Sequence, residues 1–162
     1  MRHIALPALL LGATLCHANG INPPETGKSV VLSAKCSDRA SSAVTTAYRV
    51  MFRAGSANNV PLSLKTSEGD VIDVAIDDIR SIALPTGKAG KDGFTAATVE
   101  VAVPGIKGKA ALDLGKGSKA MSLSGFTAAG KRVTVPLANC KTLEIAPGDA
   151  PPGLEVREVK KS

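Results

Sequence analysis

Histidine occurs at positions 3 and 17 only, tryptophan is absent, and the aromatic complement is one tyrosine and three phenylalanines. Both histidines fall in a segment, residues 1–18, that reads as a secretory signal peptide. Arg2 gives the short positive start and Ile4 to Leu15 the apolar stretch. Cys16-His17-Ala18 puts small residues at the two positions a signal peptidase inspects. Cleavage after Ala18 leaves 144 residues with no histidine and two cysteines. That removes the usual general base and the commonest metal ligand, so a Ser-His-Asp triad is excluded. Zinc and copper sites lose nearly all their imidazole and thiolate ligands. The scarcity of aromatic rings leaves few platforms for stacking bases or sugars, which argues against nucleic acid as a partner. Long hydrophobic runs are missing too: the apolar part of the signal falls short of the ~20 residues that span a bilayer. Cys16 does not fit a lipid-attachment site, because Leu15 and Ala13 stand where a small residue and a leucine are usual.

Two cysteines in an oxidising compartment have one connectivity, so Cys36 and Cys140 are expected as a disulfide. They are 104 positions apart, and closing so large a loop stabilises by roughly 4–5 kcal/mol on a chain-entropy account. No C-x-x-C spacing supports a redox-active pair. With no N-x-[ST] acceptor and a short signal, the expected location is periplasmic or secreted, in a bacterial envelope.

What is present is β-branched and turn-rich. Asn19 to Ser29 reads as a flexible linker. Residues 30–145 read as a single disulfide-closed domain, in which short apolar runs alternate with Gly, Asn, Asp and Lys clusters and no 3.6-residue period is sustained. The fold class is therefore all-β. Strands are expected at 30–36, 48–53, 60–66, 71–76, 80–84, 95–103, 109–114, 121–127, 132–137 and 141–145. Residues 146–162 read as a mobile Pro-rich tail, with 154–159 a candidate edge strand.

Residues 60–84 align without gaps on 121–145, at an offset of 61. Leu62, Ser63, Thr66, Gly69 and Val74 are identical to Leu123, Ser124, Thr127, Gly130 and Val135. This predicts a duplicated hairpin-plus-strand unit within internal repeats 45–84 and 106–145. The alternation assigns Ile72, Val74, Ile76, Val133, Val135, Leu137, Val60, Leu62, Leu64, Met121 and Leu123 to the core. Met51 reads as core as well, and Cys140 takes the place of Ile79. In outline each unit resembles the small SH3-like or Sm-like barrel. That resemblance implies an antiparallel sandwich or two fused small barrels, and it carries no family function.

The formal charge is +6, unevenly spread. Residues 85–141 hold nine basic and three acidic residues, whereas 45–84 hold four and five. Glycine–lysine loops carry most of the excess. Gly supplies unhindered N–H groups and Lys a point charge, which suits anions. The candidate partner-binding residues are Lys88, Lys91, Lys107, Lys109, Lys116, Lys119, Lys131 and Arg132. Charged turns also serve solubility alone. Asp70, Asp73, Asp77 and Asp78 form an acidic cluster whose spacing matches no EF-hand loop. Gly27-Lys28-Ser29 fails as a phosphate loop because Asn22 stands where the first glycine belongs. A Ser–Lys hydrolase survives the loss of histidine, but no S-x-x-K on a helix supports it. The expectation is an exported, non-enzymatic binding or adaptor module without a cofactor. It would meet a protein or an anionic envelope polymer through a sheet edge or the Gly-Lys loops. An inhibitor or immunity-type protein that blocks a secreted enzyme is the alternative.

Overall fold

The computed structural model describes residues 29–102 and 107–154. The signal segment, most of the expected linker and the end of the expected tail lie outside the described residues. Among the described residues eleven strands form: β1 (Val30–Asp38), β2 (Val44–Ala54), β3 (Ala57–Asn58), β4 (Leu62–Lys65), β5 (Val71–Val74), β6 (Ile79–Ala83), β7 (Phe94–Val101), β8 (Lys107–Asp113), β9 (Met121–Phe126), β10 (Arg132–Pro136) and β11 (Cys140–Asp149). One-turn 3₁₀ segments stand at Ile76–Asp78, Gly117–Lys119 and Leu137–Asn139.

All the strands belong to one antiparallel sheet, curled into a half-barrel around a continuous core. Of the two expected arrangements, stacked sheets in a sandwich are not formed. The order is β10-β9-β2-β1-β11-β6-β7-β8-β4-β5, with β3 beside β2. It reads alike from both ends, as two five-strand units meeting at β11 and β6. Where both units form pairs, their registers agree. Leu62 faces Val74 as Leu123 faces Val135, at the offset of 61. Thr66 N–H donates to Asp70 O and Thr127 N–H to Lys131 O, each at 2.8 Å. Gly69 and Gly130 both take positive φ in these turns (+96° and +76°), as the geometry requires of a residue without Cβ. Cys36 sits between Thr45 and Leu143 as Val99 sits between Gly108 and Ile82, an offset of 63 on β1–β2.

Chain order adds a twist. The second unit (β4 to β8) is continuous, residues 62–113. The first is split around it: β1 and β2 precede it, and β9 to β11 follow it. Each hairpin of the sequence repeat thus pairs with a strand from the other repeat, β4 with β8 and β9 with β2. The Cys36–Cys140 disulfide ties the neighbouring strands β1 and β11, with Cα atoms 5.5 Å apart, both cysteines buried.

The core is made by the inward half of each alternation: Phe52, Leu62, Ile79, Ile82, Leu112, Leu123, Leu143 and Ile145 are all buried. Two core expectations need correction, and three hold in part. Ile72 is 48% exposed, on the outermost strand β5, while Val60, Val133 and Val135 are half-buried and pack against the core. Met51 is half-buried rather than core. A bulge between Tyr48 and Met51, with Arg49 at φ +52°, shifts the phase of β2, so Ala47, Val50 and Phe52 point inward. The strand expected to stop at Ile145 continues to Asp149 along β1, and Ala150 and Leu154 are buried beyond it. The expected tail is therefore part of the fold as far as Leu154.

Candidate functional site

Alternation also decides what the outer face of the second unit presents. On β4, Leu62 and Leu64 turn inward, leaving Ser63 and Lys65 outward. On β8, Leu112 is inward and Lys109, Ala111 and Asp113 outward; on β7, Thr95, Ala97 and Val99 are inward and Phe94 outward. Lys65 Nζ donates to Asp92 Oδ2 at 3.0 Å and stands 5.6 Å from the Phe94 ring centroid. Asp92 Oδ1 also accepts the Phe94 N–H at 3.2 Å. The Lys65 ammonium, with that amide second, holds the Asp92 carboxyl below the ordinary carboxylate value.

Two depressions lie on this face, two residues apart along β4 and β8. One, of about 320 Å³, is lined by Lys65, Thr66, Ser67, Asp92, Lys109 and Ala111. The other, of about 460 Å³, has Ala54, Pro61 and Met121 as apolar walls and Ser63, Asp113, Lys116 and Lys119 as polar ones. The loop after β8 is held in a fixed shape. Asp113 Oδ1 accepts the Gly115 N–H at 2.8 Å, and Lys119 N–H donates to Lys116 O at 3.0 Å. Gly55 and Gly115, both at positive φ, pack so closely that a Cβ on either would collide with the Ser118 or Lys119 carbonyl oxygen. Lys116 and Lys119 are thereby presented side by side.

Of the eight sequence-predicted cations, Lys109, Lys116 and Lys119 share this face. Lys107, also on β8, is 3.8 Å from Glu100. Lys91 is exposed in the turn before Asp92. Lys88 lies elsewhere, at a third depression of about 470 Å³ on the rim between the units, beside Arg39 and Asn139. Lys131 and Arg132 stand at the far hairpin, on the β10 edge. The cations therefore form three groups, not one patch. Of the sheet edges, β5 exposes Val71 and Ile72, and β10 ends in Pro136, which lacks an N–H for a further strand. Asp73 in β5 accepts the Ser63 hydroxyl at 2.6 Å. No group of three or more His, Cys, Asp or Glu placed to hold a metal occurs among the described residues.

Two side chains with marked interactions escaped sequence reasoning. Lys65 is the outward member of a strand that reads as core. Arg39 lies in a polar loop, yet its guanidinium donates to Leu84 O (2.9 Å), Pro85 O (2.9 Å), Cys140 O (3.0 Å) and Ala138 O (3.4 Å), clamping the two units. Its acceptors are 45 to 101 residues away, so no local pattern announces them. Among the described residues no helix is long and apolar enough to cross a membrane. The chain matches no known family, curated protein or solved structure.

Proposed function

We propose that this protein is an exported, non-enzymatic binding module of the bacterial envelope, which recognises an acidic protein partner through the outer face of its second unit. The observation that carries the reading is the grouping of Lys109, Lys116 and Lys119 beside Lys65 on that face. Among the described residues the first three make no ion pair, and the fixed 114–120 loop presents two of them together over apolar walls. Preset cations at the rim of an apolar depression favour carboxylates next to apolar groups. The disulfide fits an oxidising compartment. The matched registers and mirrored strand order support the view that the units are copies of one small SH3-like element, one copy being free to specialise.

The test immobilises residues 19–162 with the disulfide intact, exposes them to envelope extract and elutes with rising salt. It is run in parallel with the K109E/K116E/K119E variant. A defined protein retained by the wild type at high salt and lost by the variant is the expected result. Equal retention by both, or only polyanionic polymers eluting at low salt, overturns the reading.

A further inference from the structure

The two units differ in what covers their outer faces. On the first unit, Val31, Ala150 and Leu154 form a small apolar cluster with Tyr48 and Phe126 packed against it. Ala150 and Leu154 arrive from the segment after β11. Ala150 N–H donates to Ser29 O at 2.8 Å, and the Leu154 N–H donates to Pro151 O at 2.9 Å, a turn that lays the leucine on the face.

The registers carry this place onto the second unit. Lys65 pairs with Ala111 as Phe126 pairs with Tyr48. The same offsets put Phe94 in the place of Val31 and Lys109 in the place of Thr46. No described segment covers that position. Of the residues that correspond to the covering segment, 84–88 are drawn away to the rim, and 89–93 turn back to β7, the Gly93 N–H donating to Gly90 O, with glycine in the place of Leu154. Leu84 N–H donates to Lys141 O at 2.9 Å, Arg39 takes the carbonyls of Leu84 and Pro85, and Gly87 packs against Ala138 O. What remains is the depression of about 320 Å³, lined among others by Lys109, Ala110, Ala111 and the Lys65–Asp92 pair, with Phe94 outside that lining under the Lys65 ammonium.

Resting on the binding reading above, we infer that this depression docks a short segment of the partner protein built like the chain's own cover: a proline-containing turn presenting a leucine-sized side chain. The side chain packs on Ala110 and Ala111. One neighbouring carboxylate meets Lys109 and another displaces Asp92 from Lys65, cations that the first unit replaces by Phe126 and Thr46. The covalent cover itself has this pattern, Asp149 preceding Ala-Pro-Pro-Gly-Leu and Glu155 following it. A second copy of the chain is a poor occupant, because its Leu154 is already buried on its own first unit.

The probe is a capped synthetic peptide of residues 149–155, titrated into the isotope-labelled, disulfide-intact chain and followed by amide shifts. Saturable shifts at Lys65, Thr66, Lys109 and Ala111 are expected. Lys109→Glu, and Ala111→Asp, which puts a charge where the leucine side chain packs, should each weaken binding at least about tenfold, a change of ~1.4 kcal/mol. A peptide with aspartate in place of its leucine should give no saturable shifts. Shifts confined to Val31, Tyr48 and Phe126 would mean exchange with the chain's own cover and would overturn the inference, as would binding unaltered in both variants. If the peptide fails while salt-resistant capture through Lys116 and Lys119 persists, the inference falls and the binding function stands.

Discussion

Arg39 carries a full charge and no carboxylate partner among the described residues; its acceptors are four backbone carbonyls drawn from the segment after β6 in the second unit and the closing turn of the first. A planar guanidinium can fork to several acceptors at fixed angles, which an ammonium cannot. Arg39→Lys therefore keeps the charge and loses most of the clamp. The expected cost is ~2 kcal/mol, in the range for hydrogen bonds to charged groups. It should lower the urea midpoint with the slope unchanged. One residue earlier, Asp38 caps the same loop: its Oδ1 accepts from Ser41 N–H (2.7 Å), Ser41 Oγ (2.8 Å) and Ala40 N–H (2.9 Å). The Ser41 amide, then its hydroxyl, hold the carboxyl below the ordinary value of 3.8. The folded state thus binds this proton less readily than the unfolded chain. The stabilisation is complete above the unfolded pKa and is lost as pH falls below 3.8 through the depressed folded value. Asp38→Asn should be less stable than the wild type near neutral pH. The two thermal midpoints should converge as the pH drops below that window. A constant gap across the titration would show that charge at Asp38 contributes nothing.

At the scale of elements, glycine separates turn geometry from packing. Gly69, at φ +96° with nothing within 4 Å of where a Cβ would stand, incurs only a backbone penalty on substitution. Gly69→Ala should cost ~1 kcal/mol. Gly87 has no such φ, but a Cβ there would collide with Ala138 O, and Arg39 Nε lies 3.3 Å away. Gly87→Ala must push the 84–93 segment off the closing turn of the first unit, an overpacking cost of roughly 2–3 kcal/mol. Thermal unfolding of the two variants should rank them in that order. The hairpins around Gly69 and Gly130 were legible in the sequence, because period-two alternation and a turn glycine are local signals. The cysteine pair was legible by elimination. The bulge at Arg49 was not, since nothing in Tyr48 to Arg53 marks an arginine for positive φ, and strict alternation through it puts Met51 on the wrong face. The candidate face was half legible. Gly-Lys spacing marked Lys109, Lys116 and Lys119, but strand order decided which lysines meet, and it joined Lys65 to them while sending Lys131 and Arg132 to the opposite edge. The cover formed by Ala150 and Leu154 was hidden by composition, because prolines and glycine in a polar stretch read as a tail.

For the whole molecule, the nested order sets an asymmetry in how the units are held. The second unit is one continuous stretch, residues 62–113, whereas the first must bring β1 and β2 together with β9, β10 and β11 across that entire insertion. Closing such a loop costs chain entropy that falls on the first unit alone. The Cys36–Cys140 bond sits where it offsets this cost, between β1 and β11, in positions that Val99 and Ile79 fill with apolar side chains in the continuous unit. Cys36→Ser with Cys140→Ser should therefore cost ~2–5 kcal/mol. Native-state hydrogen exchange should show the loss concentrated in β1, β2, β9, β10 and β11, with β4 to β8 better protected. A uniform loss would instead mean that the shared core, to which Phe52, Leu62, Ile82, Leu112 and Leu143 all contribute, couples the units into one cooperative body. The uneven outcome has a functional corollary. The proposed docking face is built from β4, β7 and β8, so binding of the 149–155 peptide should survive removal of the disulfide at temperatures where the first unit has begun to open.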